Sequence, residues 1–267
     1  MADAPPLRLV VHGVAGRMGQ RVIACAAGEW RLVAAIERSG HPRVGADAGV
    51  LAGLPAAGVA VADSWNCPAD AAIDFSVPEA VAGIVAECVA KSVPLVVATT
   101  GLGDAEHAAI RAAATTIPIL QSPSMSLAVN ISMDLVARAA ALLTRVGGRT
   151  DVEILETHHR HKEDSPSGTA LAFGAIVRDG MGQAREVHGR SGRPGARPAD
   201  EIGYHAVRAG DNPGEHTILF GMEGESFSVN VRATNRDCYA RGALAAARFL
   251  VGRPAGLYSM RDVLGIA

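Results

Sequence analysis

Through the first half of the chain, short apolar runs closed by a glycine or a polar turn alternate with longer stretches of helix-compatible residues. Residues 7–12 form a β-rich run that ends at Gly13, 16–27 read as a helix, and Gly28 fits its C-cap. A second run at 31–36 ends at Glu37. Strand, glycine turn, helix, strand and acid, in that order, are the opening unit of a dinucleotide fold. The alternation continues: strand 71–75, a helix from Pro78 to about 90 with the proline at N1, strand 95–98, a helix from Asp104 to about 114, and strand 117–120. Such alternation predicts a parallel sheet covered on both faces.

The pattern changes after about Ser126. A helix over 130–143 leads to Gly147 and Gly148, a strand follows at 151–158, and a polar loop precedes a helix over 168–179. Residues 185–200 are rich in Gly, Pro and Arg and read as a long loop. Runs at 201–208, 214–220 and 226–233 read as strands of a largely antiparallel or mixed sheet, and 239–251 as a final helix. The expected architecture is α/β: an N-terminal Rossmann-type doubly wound parallel sheet plus a second α+β domain with a mixed sheet.

Composition narrows the function classes. The hydrophobic share is 49% and the aromatic share only 4%, which suits helices packed closely on a sheet around a sizeable core. Net charge is -2 with no basic block, which argues against nucleic acid as the main partner. No uninterrupted apolar run approaches the roughly 18 residues of a membrane span, and the first residues lack a secretory pattern. Cys25, Cys67, Cys88 and Cys238 lie far apart without C-x-x-C spacing, as expected of reduced thiols in a cytoplasmic protein.

The first turn runs Gly13, Val14, Ala15, Gly16, Arg17, Met18, Gly19, a G-x-x-G-x-x-G in which Ala15 stands where a second glycine is usual. Gly13 permits the tight turn, Gly16 close approach of a pyrophosphate, and Gly19 close packing of helix on sheet. The helix start offers free N–H groups to phosphates. Glycine turns join strands to helices in many folds, so the context carries the reading, and Glu37 supplies it at the position of the ribose-binding acid. Arg38 beside it suits a 2′-phosphate, so NADH and NADPH are both expected as cofactors. The competing reading of Glu37 and Arg38 is an ordinary surface ion pair at a strand end.

The densest chemistry lies between Glu156 and Ala170. His158, His159, His161 and Lys162 leave a strand end, and Ser167, Gly168 and Thr169 start a helix. Histidine exchanges protons near neutral pH, lysine holds an anion or polarises a nitrogen or carbonyl, and the helix start grips a carboxylate. Together these suit reduction of an anionic, polarised double bond. Solvated loop charges are one competing reading. A metal bound by His158, His159 and His161 is another; no H-E-x-x-H and no further ligands at zinc spacing accompany them, so no metal is expected.

At this segment the chain resembles the 4-hydroxy-tetrahydrodipicolinate reductase family, also called dihydrodipicolinate reductase, over nearly its whole length. The resemblance rests on the glycine turn, Glu37-Arg38, Asp74-Phe75-Ser76, the run from Ala98 to Gly101, and above all the His-His-x-x-Lys run joined to Pro166-Ser167-Gly168-Thr169-Ala170. Matches continue at 189–192, 201–208 and 214–217. It implies NAD(P)H-dependent reduction of a cyclic dicarboxylate in the diaminopimelate route to lysine, by a homotetramer. It further implies a dinucleotide-binding domain at 1–129, with a C-terminal helix in 239–267 returning to it, and a substrate-binding and oligomerisation domain at 130–238. His158 would be the general acid and Lys162 a second donor that binds substrate. His159 would contact one substrate carboxylate, and Ser167, Gly168 and Thr169 would hold the other. The cofactor would meet Gly13, Val14, Ala15, Gly16, Arg17, Met18, Glu37, Arg38, Ala98, Thr99, Thr100, Ser122, Pro123, Ser124 and Met125. Two positions depart from the family: Ser124 stands where asparagine is usual, and Val231 where histidine is usual. A related reductase of another small carboxylate, or a dinucleotide sensor without turnover, are the alternative readings.

Overall fold

The computed structural model describes residues 5–266. In chain order the elements are β1 (Leu7–His12), α1 (Arg17–Cys25), β2 (Trp30–Ile36), α2 (Ala48–Leu51), β3 (Val61–Ala62), β4 (Ala71–Asp74), α3 (Pro78–Lys91), β5 (Leu95–Val97), α4 (Asp104–Ala113) and β6 (Pro118–Gln121). Then come α5 (Leu127–Val146), β7 (Asp151–His158), α6 (Gly168–Met181), β8 (Arg185–His188), β9 (Glu201–Arg208), β10 (Gly214–Gly221) and β11 (Ser226–Ala233). The chain ends with α7 (Asp237–Leu250), β12 (Gly256–Tyr258) and α8 (Met260–Leu264). They form two compact units, one of Met1–Leu127 with Arg236–Ala267, the other of Ala128–Asn235.

The first unit is a seven-stranded sheet in the order β12-β6-β5-β4-β1-β2-β3, every pair parallel. Its strands are apolar on both faces, as a sheet sandwiched by helices requires. Leu9, Val11, Ile73 and Val96 pack into one core layer with Val22 of α1 and Ala243 and Ala247 of α7, while Val10, Ala72, Leu95 and Ile119 pack into the other with Ile84 of α3 and Ile110 of α4. β1 is flanked by β2 on one side and β4 on the other, so strand order reverses at its C-terminal end. Such a reversal opens a crevice where open α/β sheets take ligands.

The second unit is a five-stranded mixed sheet, β11-β10-β7-β9-β8. β10 runs antiparallel to β11 and β7, while β9 is parallel to β7 and β8. One face buries Val152, Ile154, Ile202, Ile218 and Phe220 with Phe173 and Val177 of α6 and Val129 and Val136 of α5. The opposite face carries an ionic lattice in which Glu153 accepts from Arg190, Arg197 and His205. Burial alone would raise the Glu153 carboxyl, but these donors hold it down at about 2.

The α/β class, the parallel sheet and the mixed second sheet agree with the sequence pattern. Three local readings are corrected. Residues 185–200 are not all loop, because β8 adds an exposed edge strand whose mostly polar residues leave no alternating signature. The segment 239–267 is not a single helix: α7 stops before Gly252, which has φ +77°, and Pro254, and the chain then forms β12 and α8. α5 is longer than the expected 130–143 and, by length and composition alone, apolar enough to cross a membrane, with mean hydropathy 1.4. It also carries the Asp134–Arg138 ion pair and buries Val129, Val136 and Ala140 on one face, while Ile131, Leu135 and Leu142 on the same helix are exposed.

Candidate functional site

In the first unit the glycine turn lies at the strand-order reversal. A Cβ on Gly13 would stand 2.5 Å from the Phe75 carbonyl oxygen, and one on Gly19 2.3 Å from the Gly13 carbonyl oxygen, so both positions exclude any side chain. Gly13 and Val14 donate their N–H groups to the Ile36 carbonyl, and Gly16 donates to Gly13. The Ala15 N–H donates to Glu37 Oε1 at 2.9 Å. Arg17 and Met18, at the start of α1, are left with free N–H groups, and the cap Gly16 has no side chain to satisfy them. A cleft of about 360 Å³ opens beside the turn, lined by Gly13, Ala15, Gly16, Glu37 and Arg38 on one side and Val77 and Ala80 on the other. Free donors for a diphosphate, a fixed carboxylate for a ribose diol and an apolar wall for a purine fit a dinucleotide.

The remaining cofactor candidates divide. Val14 and Met125 are buried in the core at 0% and 2% exposure, so neither offers its side chain to a ligand. The Thr99 hydroxyl donates to Asp74 Oδ2 at 2.6 Å and accepts the Ser76 N–H, which leaves its backbone and exposed Thr100 for contacts. Asp74 also faces His12 Nδ1 at 2.7 Å, a buried pair at the ends of β4 and β1 that sequence reading passed over. The Ser122 hydroxyl donates to the Ser124 carbonyl, and the Ser124 hydroxyl accepts the Ser126 N–H. Serine at 124 thus shapes the turn after β6.

In the second unit the period-two alternation of β7 continues its core face into a polar site. Val152 and Ile154 point into the core, and Glu156 and His158 follow on the same face. His216 on β10 stands directly across from Glu156, and Arg208 on β9 directly across from His158. His158 Nδ1 lies 2.5 Å from Glu156 Oε2, and its ring packs edge-on to His216 at 5.2 Å. Burial lowers the His158 imidazole below its ordinary value, Glu156 pulls it back up, and Lys162 and Arg208 push it down. Lys162 donates to Asp164 at 2.8 Å, and Asp164 is largely exposed. His159 is anchored through its N–H to the Asn212 carbonyl, while its Nδ1 is buried without a partner. His159 and His161 have ring centroids 6.2 Å apart, and among the described residues no group of three or more His, Cys, Asp or Glu side chains is arranged to hold a metal ion.

Ser167 caps α6, accepting the Ala170 N–H at 3.1 Å, and lies 3.0 Å from His216 Nε2. This leaves the Gly168 and Thr169 N–H groups free at the helix start, with Gly168 exposed. Ser167 is 2% exposed, and its hydroxyl is engaged at the cap. Val231, the second departure, sits in the core across the ladder from His216, in apolar surroundings. Sequence reading gave no role to Glu156, Asp164, Arg208 or His216. All four lie in the quoted motifs, but strand register brings Glu156, Arg208 and His216 together, and the loop after β7 adds Asp164.

A unit built on a seven-stranded parallel sheet with a dinucleotide-type turn, in a chain whose other unit presents imidazole, ammonium and free amides, defines an NAD(P)-dependent oxidoreductase of the Rossmann type. The descriptions "Dihydrodipicolinate reductase, N-terminus" and "Dihydrodipicolinate reductase, C-terminus" match residues 7–125 and 128–264. The chain belongs to the dihydrodipicolinate reductase family. Relatives named 4-hydroxy-tetrahydrodipicolinate reductase include one from Rhodopirellula baltica, 51% identical over 100% of this chain and 99% of its own length. Another, from Alkalilimnicola ehrlichii, is 46% identical over 97% and 99%. A dipicolinate-bound dihydrodipicolinate reductase from Paenisporosarcina sp. TG-14 shares the fold, with TM-score 0.76 and 23% identity over 96% of this chain and 98% of that one.

Proposed function

We propose that the chain reduces 4-hydroxy-tetrahydrodipicolinate to tetrahydrodipicolinate with NADH or NADPH and a proton, the 4-hydroxyl leaving as water and the cofactor as NAD+ or NADP+, a step of the diaminopimelate route to lysine. Family membership over both halves of the chain supports the reaction class. The observation that carries the catalytic reading is the β7–α6 connection: within one unit it presents His158, Lys162 and the free Gly168 and Thr169 amides.

In this reading the first unit holds the dinucleotide. Arg17 and Met18 amides receive the diphosphate, Glu37 the ribose diol, and Arg38 a 2′-phosphate when there is one. The reduced nicotinamide, when bound, supplies the hydride. The second unit holds the dicarboxylate: Gly168 and Thr169 amides grip one carboxylate at the α6 start, and His159 meets the other. Lys162 exchanges its exposed partner Asp164 for the substrate, a small change because that pair is solvated. His158 donates a proton from Nε2. Burial makes it a stronger acid than a free imidazole, and a dianion bound beside it favours the protonated form. The second unit also builds a homotetramer, and the enzyme works in the cytoplasm.

A nicotinamide absorbance assay with freshly generated 4-hydroxy-tetrahydrodipicolinate tests this reading. His158→Ala and Lys162→Ala should each lower kcat by about 10²–10⁴-fold, with dinucleotide affinity retained. Near-parental turnover in both variants, or a different small carboxylate as the best acceptor in a substrate panel, overturns it.

A further inference from the structure

Glu156 lies two residues before His158 on the same face of β7, and its side chain is 1% exposed. Both of its oxygens are fully engaged. Oε2 accepts Arg208 Nη1 at 2.7 Å and meets His158 Nδ1 at 2.5 Å. Oε1 accepts Arg208 Nη2 at 2.7 Å and the Ser167 N–H at 3.0 Å. Burial alone would raise the Glu156 carboxyl, but the Arg208 fork and His158 outweigh it and hold the group below the ordinary carboxylate range. An ionised carboxylate has no proton to give, so His158 Nδ1 carries the proton and donates. Any proton that His158 exchanges therefore leaves and returns at Nε2. Nε2 takes no hydrogen bond from the described residues. Gly214 on the neighbouring strand keeps that atom bare, since a Cβ there would stand 2.9 Å from Nε2.

We propose that Glu156, clamped by Arg208, is a positioning residue for proton delivery: it fixes the Nδ1–H tautomer of His158 and presents Nε2 to the substrate. This rests on the reading of His158 as the proton donor. Arg208 serves two ends. It keeps Glu156 ionised, and its cation offsets part of the attraction that would otherwise hold the proton on His158. The charged and titratable groups facing His158 are Glu156 on its own strand, Arg208 on β9, His216 on β10 and Lys162 in the following loop. A merely structural role is the competing account, because the Glu156–Arg208 pair also ties β7 and β9 to the start of α6.

Opposite-sign displacements separate the two accounts. In Glu156→Gln the carboxylate is lost and Arg208 remains, so the basic limb of the kcat/KM profile should move down by about one pH unit or more. In the same variant kcat should fall by about 10²–10⁴-fold, as when the orienting carboxylate of a catalytic histidine is replaced by an amide. In Arg208→Gln the limb should move the other way. Nitrogen-15 NMR of histidine-labelled parent protein gives a readout that needs no variant: the neutral His158 ring should show protonated Nδ1 and bare Nε2. The positioning role falls if the parent ring carries its proton on Nε2. It also falls if both variants lose thermal stability while their residual activity keeps the parental pH profile. His158→Gln serves as the separate control. Should it keep parental kcat, the proton-donor reading fails, while the NMR result still decides whether Glu156 sets the tautomer.

Discussion

Helices α1 and α6 both begin at glycine-bearing turns that leave backbone N–H groups free, and they do so by opposite means. At α1 the cap Gly16 has no side chain, and the flanking Gly13 and Gly19 are required by backbone atoms that a Cβ would strike. At α6 the cap Ser167 satisfies one amide with its hydroxyl, and a Cβ on Gly168 would meet nothing within 4 Å. The fold explains the glycines of the first turn. At exposed Gly168 no neighbouring atom demands a glycine, and a role in holding substrate is the proposal that would account for it. A glycine demanded by packing and a glycine with open space around it look alike in a sequence, and only the surrounding atoms tell them apart.

The largest expected effect is at Gly19. Gly19→Ala drives a Cβ to 2.3 Å from the Gly13 carbonyl oxygen and 2.7 Å from Val14 Cα, both backbone atoms that cannot swing away. It should cost roughly 2–4 kcal/mol of stability and weaken NADPH binding about 100-fold or more. Calorimetry and titration that match the parent would show the close approach to be wrong.

Acid should act on the second turn. His216 is buried and faces the Ser167 hydroxyl; burial, then repulsion from His158, lowers its imidazole to about 4. The unfolded chain takes up that proton near pH 6.5, so stability from neutral His216 is present above that value and lost as pH falls toward about 4. By pH 5 the loss should be about 2 kcal/mol. Denaturant melts of His216→Gln should show a flatter pH dependence, and an unchanged slope would remove His216 from the account of α6.

Gly168→Ala should be the reverse of Gly19→Ala. Stability should stay within about 0.5 kcal/mol of the parent, while the KM for the dicarboxylate rises about tenfold with kcat preserved. A drop in Tm without a KM change would erase the contrast between the two turns. The smallest effect is at Glu37, whose carboxylate the Ala15 amide already orients. Glu37→Ala should weaken NADH a few-fold more than NADPH, about 1 kcal/mol of difference. Equal losses in fluorescence titration would count against a ribose contact.

Strand, turn, helix, strand and acid made the first turn legible, because each step leaves a local mark: an apolar run, a glycine, a helical period, a carboxylate. β7 was legible for the same reason, and the structure puts Glu156 and His158, two residues apart on it, on one face. What the sequence hides is the partner across the ladder. Arg208 reaches Glu156 from 52 residues away, and only the parallel β7–β9 register brings it there. The His12–Asp74–Thr99 cluster is hidden likewise, assembled from the ends of three chain segments. Strands as short as β3 and β12, and the exposed β8, are too brief or too polar to leave a periodic trace.

The division of the first unit into two chain segments has a consequence for synthesis. Ala128–Asn235 emerges from the ribosome as one contiguous stretch, with every strand of its sheet present. The earlier segment must wait for α7 and β12, which supply Ala240, Ala243, Ala247 and Leu250 to one core layer and the partner for the open edge of β6. Although translated later, the second unit has all its parts first, and the nascent β6 edge stays open to wrong partners until β12 is made.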